Sequence, residues 1–221
     1  MAVNTPSGRS RGRPARTPEQ HEQMRARILA AAGAVYAKHG QRGTTVARIV
    51  TKAHLSRPTF YVFFDGTDDV ITALVNHTQS QLNGRLYAVI AEPADPITQI
   101  VAAVDVYLDT TEEMGDAARV FHIEAHDPAS SAHRLRQENE EVMVEMLRGR
   151  IIESGRPAPS SEAFRMLFGT LQAGSYRYLS TPGSDRREAR AAMLRAAVAL
   201  VGTPEDWRQA AERPDLFGQQ G

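Results

Sequence analysis

The sequence predicts an all-α protein: a three-helix head built around a helix-turn-helix, followed by a longer helical body. Three observations lead there. Apolar residues recur at helical spacing along most of the chain. Capping residues stand at the start of each periodic segment, and no segment reads as a strand or an internal repeat. The 221 residues divide into a basic tail over 1–16, a head over 17–66 and a body over 67–221.

Residues 1–16 are rich in Gly, Ser, Pro and Arg and poor in apolar side chains, a composition that does not order by itself. Order is expected from Thr17-Pro18-Glu19-Gln20. Thr17 serves as cap, Pro18 suits the first helical position, and Gln20 sits where a capping-box partner belongs. Ile28, Ala31, Ala32, Val35 and His39 continue this helix, and Gly40 is its expected stop. Thr44 or Thr45 caps a second helix with the stripe Val46, Ile49, Val50 and Ala53. Ser56 caps a third, with Pro58 in its first turn and Phe60 and Phe64 four apart on one face.

Asp65-Gly66 breaks the chain, and Asp65 or Thr67 opens a long fourth helix carrying Val70, Ile71, Leu74, Val75, Leu82, Leu86 and Val89, ended by Pro93 and Pro96. Asp95-Pro96 opens the next, with Ile97, Ile100, Val101, Val104, Tyr107, Leu108 and Met114 inward. Helices over about 116–126 and 129–154 follow, then one from Ser160 or Ser161 with Phe164, Leu167, Phe168, Leu171, Ser175 and Tyr178 in register. Ser184 opens a last long helix, and Thr203-Pro204-Glu205 a short one around Trp207.

Composition narrows the function. The apolar runs are short and broken by charge, so no membrane span is expected. The arginine-bearing N-terminus lacks the apolar run of a secretory signal, so a cytoplasmic location is expected. Without cysteine, zinc–thiolate sites and thiol nucleophiles are excluded. The net charge of zero conceals a split: residues 1–64 hold eleven Arg and Lys against two Glu, a net +9, and the remainder carries −9. Such a head suits a polyanion, and such a body would be repelled by one.

A helix-turn-helix takes roughly twenty residues because its first helix must brace the second in the major groove of DNA. With Phe60 and Phe64 inward, Arg57, Thr59, Tyr61 and Val62 are left facing outward. Thr44 and Ser56 bring hydroxyls and helix N-terminal N–H groups to phosphates, with Thr45 and Pro58 beside them. Tyr61 is expected on a phosphate, Thr59 on a phosphate or base, and Val62 near a thymine methyl. In the tail, Arg11-Gly12-Arg13-Pro14 has the core of a minor-groove hook, the plainer alternative being a solvated basic tail.

The stretch TTVARIVTKAHLSRPTFYVFFDGTDDVITALV resembles the N-terminal signature of the TetR family of transcriptional regulators, over roughly residues 20–75. Residues 56–61 are also locally similar to the recognition helix of a mycobacterial member. The resemblance implies that Thr44, Ser56, Thr59 and Tyr61 contact DNA. Three residues depart from its pattern: His54 stands at a turn position usually held by glycine, Thr67 replaces a common lysine, and Pro58 replaces a frequent glycine. The resemblance further implies a homodimer through helices at about 160–181 and 184–202, whose Gly169, Ala173, Gly174, Ala189, Ala192, Ala196 and Ala197 permit close approach, in one chain or between two.

It also implies a small-molecule pocket in the body, mainly apolar, with Leu86, Tyr107, Met114, Phe121, His122, Met143, Met146, Phe168, Leu171 and Tyr176 as candidate lining, each also readable as plain core. His122 and His126 lie four apart with Glu124 between them. They read as a surface pair, or as ligands for a polar group or a metal. No metal or other cofactor is expected.

Catalysis is not expected. Gly169 and Gly174 are followed by Ser175-Tyr176 rather than the Lys-Ser/Thr of a phosphate-binding loop, and neither a Gly-x-Ser-x-Gly elbow nor a His-Glu-x-x-His pair occurs. The expected function is a sequence-specific repressor released from its operator by a ligand, the alternative being an architectural DNA-binding protein without one.

Overall fold

The computed structural model describes residues 17–217. Ten α-helices and a terminal 3-10 turn follow one another, with no strand among the described residues. The head comprises α1 (Pro18–Gly43), α2 (Val46–Lys52) and α3 (Arg57–Tyr61). The body comprises α4 (Thr67–Ala91), α5 (Pro96–Met114), α6 (Asp116–Glu124), α7 (Ser131–Glu153), α8 (Ser161–Ser180), α9 (Arg186–Val201) and α10 (Pro204–Ala211).

The caps follow local chemistry. Thr17 and Gln20 form the reciprocal capping box, and Ser56, Asp95, Ser160 and Thr203 each accept a backbone N–H of the first turn they precede. Three boundaries differ from expectation, at Gly40, Gly66 and Ser184, and the choice between Thr44 and Thr45 as a cap is settled. Gly40 breaks α1 at φ 68°, and a further turn then runs to Gly43. Thr45 caps α2, while Thr44 closes α1. Gly66 precedes α4 without a side-chain cap, and Asp69 instead accepts the Asp65 N–H at 2.9 Å. Asp185 caps α9, because the Ser184 hydroxyl donates to the Thr181 carbonyl at 2.9 Å.

Two apolar cores organise these helices. The first joins Ile28, Ala32 and Tyr36 of α1, Ile49 of α2, Phe60 of α3 and Phe64 to Val70, Leu74 and Val75 of α4 and to Val120 and Phe121 of α6. The second gathers Leu82 of α4, Ile97, Val104 and Leu108 of α5, Val144 of α7, Phe164 and Leu171 of α8, and Leu194 and Val198 of α9. Helix α4 enters both cores, so the head is bonded rigidly to its first half while its second half walls the body. The tyrosine hydroxyl of Tyr36 donates to Glu124, a buried bond from α1 to α6.

Charge is partitioned along the same line. Every ion pair among the described residues lies at residue 85 or beyond. Arg186 and Arg190 of α9 pair with Asp105, Asp109 and Glu112 of α5, fixing the relative rotation of two body helices. No helix among the described residues is long and apolar enough to cross a membrane.

Candidate nucleic-acid interface and ligand cavity

Helix α3 is five residues long, too short to hold itself, and its place depends on two anchors. Phe60 is fully buried, with the Phe64 ring centroid 5.9 Å away and the Tyr61 ring edge-on at 5.5 Å. Arg27 of α1 donates to the carbonyls of Ala53 and His54, closing the turn between α2 and α3. His54 sits in that turn at φ 51°, the only non-glycine residue with positive φ among those described. The turn thus keeps the left-handed geometry that glycine would supply without steric cost, and the arginine clamp offsets the strain.

Burying Phe60 leaves Ser56, Arg57, Pro58, Tyr61 and Val62 exposed on one face, with Thr59 half-buried at its edge. Ser56 Oγ lies 2.8 Å from Thr59 Oγ1 and accepts the Thr59 N–H. One hydroxyl of that pair donates to the other, which leaves one proton for an outside acceptor such as phosphate. Arg57, and Lys38, Arg42 and Lys52 elsewhere in the head, enter no ion pair among the described residues. Thr45 is exposed at the start of α2 with its hydroxyl oxygen on the Arg48 N–H. Thr44 is placed differently from the expectation. It is buried, its hydroxyl donates to the Gly40 carbonyl at 2.8 Å and its N–H goes to Gln41, so it has no proton left for a phosphate. Arg11 and Arg13 lie outside the described residues.

In the body, a cavity of about 470 Å³ lies between α4, α5, α7, α8 and α9. Its walls are apolar, with Leu86, Ile90, Ile100, Val104, Met143, Leu147, Phe164, Phe168, Leu171 and Val201 among them. A smaller space of about 60 Å³ continues toward the head and shares Leu86, Tyr107, Met143 and Phe168 with the first. From Gln79, beside the small space, to Ala91, beside the large one, α4 rises about 18 Å, so the combined site is elongated along that helix.

Of the residues expected to line a pocket, Leu86, Tyr107, Phe121, Met143, Phe168 and Leu171 do surround this space. Met114, His122, Met146 and Tyr176 do not. Met114 shares the Tyr107 face of α5 but sits two turns beyond it, past the cavity. Met146 is half-buried on the flank of α7, and Tyr176 is turned about 120° from Phe164 on α8 and is 40% exposed. The polar lining was not anticipated: Gln79, Asn83, Arg136, Asn139, Glu140 and Gln172 toward the head, and Gln99, Arg150, Ser154, Arg156 and Asp206 at the far end. A signal existed in the sequence, since Gln172 follows Phe168 by four and so shares its inward face.

His122 corrects the surface-pair reading. It is 3% exposed, and Nε2 faces Ser175 Oγ at 3.3 Å. The Ser175 hydroxyl donates to Thr111, and Thr111 to the Tyr107 carbonyl, so Nε2 carries the imidazole proton and Nδ1 has no partner. His126 is exposed, with Nδ1 2.8 Å from the His122 carbonyl oxygen. Among the described residues no group of three His, Cys, Asp or Glu could hold a metal ion.

Burial, then the nearby His126 and Arg136 charges, push the His122 imidazole down to about 3 from its usual 6.5. It stays neutral in the folded state while the unfolded chain takes up a proton below pH 6.5. The stability this supplies is complete above that pH and drains as pH falls toward 3, by up to about 1.4 kcal/mol per unit. Urea denaturation should show about 2 kcal/mol lost between pH 7 and 5 from this residue, and His122→Gln should lower the slope by one proton.

The comparisons agree with this geometry. Residues 28–74, from mid-α1 into α4, match the sequence profile of bacterial regulatory proteins, tetR family. No curated protein matches the chain. Among solved structures, the fatty acid degradation regulator FadR from Bacillus halodurans superposes with a TM-score of 0.70 at 18% identity, covering 86% of this chain and 98% of that one. FadR from Bacillus subtilis in complex with stearoyl-CoA gives 0.65 at 17% identity over 80% and 98%. TylP, a tetR regulator from Streptomyces fradiae, gives 0.62 at 21% identity over 88% and 95%. At these identities the structural likeness speaks for the fold, and the profile match places the head, residues 28–74, in the tetR family of DNA-binding, helix-turn-helix transcriptional regulators.

Proposed function

We propose that this protein is a homodimeric, cytoplasmic repressor that holds operator DNA through α3 and releases it when a small, largely apolar ligand fills the body cavity. The observation that carries the DNA half is the charge partition: the body's ion pairs are made within the body, while Lys38, Arg42, Lys52 and Arg57 of the head have no acidic partner among the described residues. The expected arginine tail at Arg11 and Arg13 would extend that contact into the minor groove.

A dimer is favoured because one recognition helix reads too few base pairs for useful specificity. The outer faces of α8 and α9 offer Met166, Ala173, Tyr176, Ala192 and Ala199 to a second copy. The small residues divide between two tasks. A Cβ on Gly174 would meet Met193 of the same chain at 3.1 Å, whereas Gly169 faces open space and is free to admit a partner.

The cavity favours an elongated apolar effector. At its far end Arg156 is bonded to Asp206, but Arg150 has no partner among the described residues, so a molecule with an anionic end group fits there. FadR from Bacillus subtilis, which has this fold, is in complex with stearoyl-CoA, a molecule that joins a long apolar chain to an anionic part. Because α4 belongs to both cores, a ligand that shifts its second half moves the head, and two heads at a changed spacing no longer match successive major grooves.

The reading is tested on DNA from upstream of the protein's own gene by fluorescence anisotropy at fixed salt. Specific binding about 10³-fold tighter than to scrambled sequence is expected, and equal affinities would instead favour an architectural protein. Tyr61→Phe, which removes the hydroxyl of a residue 55% exposed on the outer face, should weaken binding to every sequence by about tenfold. Arg57→Ala should narrow the gap between specific and nonspecific DNA.

A further inference from the structure

The small head-proximal space is lined by a side chain that the fold itself does not use. Gln172 is 3% exposed, its Oε1 has no hydrogen-bond partner, and no bond of its amide to another described residue is present. A buried amide without partners costs stability, and such groups are rare unless something outside the chain completes them. Tyr107, 6% exposed, stands in the same space, and its hydroxyl likewise makes no bond to a described residue. Of the other polar groups there, Arg136 pairs with Glu140 at 2.8 Å, Asn139 donates to Gln79 at 3.4 Å, and Asn83 is only half-buried. The charged pair contributes no net charge. The unused groups that are buried are one amide, Gln172, and one phenol, Tyr107, both neutral and both able to donate and accept.

Resting on the apolar-effector reading above, we propose that the effector carries a neutral hydrogen-bonding group, a hydroxyl, carbonyl or amide, on the end that points toward the head, and that Gln172 and Tyr107 bind it. The space of about 60 Å³ admits a group of a few heavy atoms and continues into the apolar cavity through Leu86, Met143 and Phe168. An unfunctionalised alkyl end would leave the Gln172 amide unsatisfied, and a charged end would be desolvated without a free counter-ion. The polar end would also lie between α4, which supplies Gln79 and Asn83, and α7, which supplies Asn139. Its hydrogen bonds would therefore form beside the helix that joins both cores, where they can influence the position of the head.

The test is a ligand-by-variant cycle on the full chain, with 1-octanol and 1-fluorooctane, matched in length, titrated by calorimetry. The quantity read is the change, from wild type to variant, in the ratio of their dissociation constants, in which their different transfer from water cancels. Gln172→Leu should shift that ratio against the alcohol by about tenfold, and Tyr107→Phe should shift it in the same direction. The unliganded Gln172→Leu protein should melt at a higher temperature than the wild type, since an orphaned polar group has been replaced by an apolar one of similar volume. A ratio unchanged in both variants while the two probes still bind would overturn the polar-end assignment and leave the apolar cavity standing. Failure of the wild type to bind either probe would remove the cavity reading and this inference with it. A lower melting temperature for Gln172→Leu would make the amide a structural group and also overturn the assignment.

Discussion

Phe60→Ala should abolish operator binding and cost about 3–5 kcal/mol of stability, the range for deleting a fully buried aromatic ring. The residue is 0% exposed and is the one buried side chain of a five-residue helix. So short a helix has no stability of its own, and its orientation comes from the ring held among α1, α2 and α4. Removing that ring frees the face bearing Arg57, Tyr61 and Val62 to reorient. Phe60→Leu keeps most of the apolar volume and should cost far less. Urea denaturation paired with anisotropy on the same DNA checks both: unchanged DNA binding by a folded but destabilised Phe60→Ala protein would place α3 outside the interface.

The second large effect is expected where head meets body. Tyr36→Phe should destabilise the protein by about 3 kcal/mol although it removes one oxygen atom. Both Tyr36 and Glu124 are 3% exposed, and the tyrosine hydroxyl is the only hydrogen-bond donor to the Glu124 carboxylate among the described residues. Burial and this carboxylate together hold the tyrosine hydroxyl protonated well above its usual range. Without it, a buried charge has no donor, which costs more than the bond contributes. Glu124→Gln retains an acceptor and should be mild. The double variant Tyr36→Phe, Glu124→Leu should recover most of the loss, since replacing both partners by apolar groups leaves nothing unpaired. Strict additivity of the two single variants in chemical denaturation would show that the pair is not coupled.

Much of the head could be read from residue order alone. Thr17 with Gln20, Ser56 ahead of Arg57-Pro58, and the four-residue spacing of Phe60 and Phe64 are local signals, and local chemistry decided them. Thr44 shows where locality fails. Two adjacent threonines were equivalent as caps until the break at Gly40 turned the chain, burying one against a carbonyl and exposing the other. His122 and His126 were alike in the same way, four apart in the helix expected over about 116–126, whereas α6 ends at Glu124. Packing of α6 against α8 buried His122 and left His126 in solvent.

The cavity was legible only in outline. Apolar periodicity identified Leu86, Tyr107, Met143, Phe168 and Leu171 as inward, but inward residues that fill a core and inward residues that line a void have the same pattern. Met114 and Met146 satisfied that pattern and yet lie outside the space. The polar residues that give the cavity its chemistry come from different helices: Gln79 from α4, Tyr107 from α5, Arg136 from α7 and Gln172 from α8.

By itself the sequence determined the helical class, the helix-turn-helix with its outward Arg57, Tyr61 and Val62, and a basic head on an acidic body. Caps, helical periods and net charge are properties of neighbours along the chain or of simple sums over it. Only the tertiary structure decided that α4 joins two cores, that Tyr36 bonds Glu124 across 88 positions, and that a void remains between α4, α5, α7, α8 and α9. Those depend on how closely separate helices approach, which side-chain volumes settle and residue order does not express.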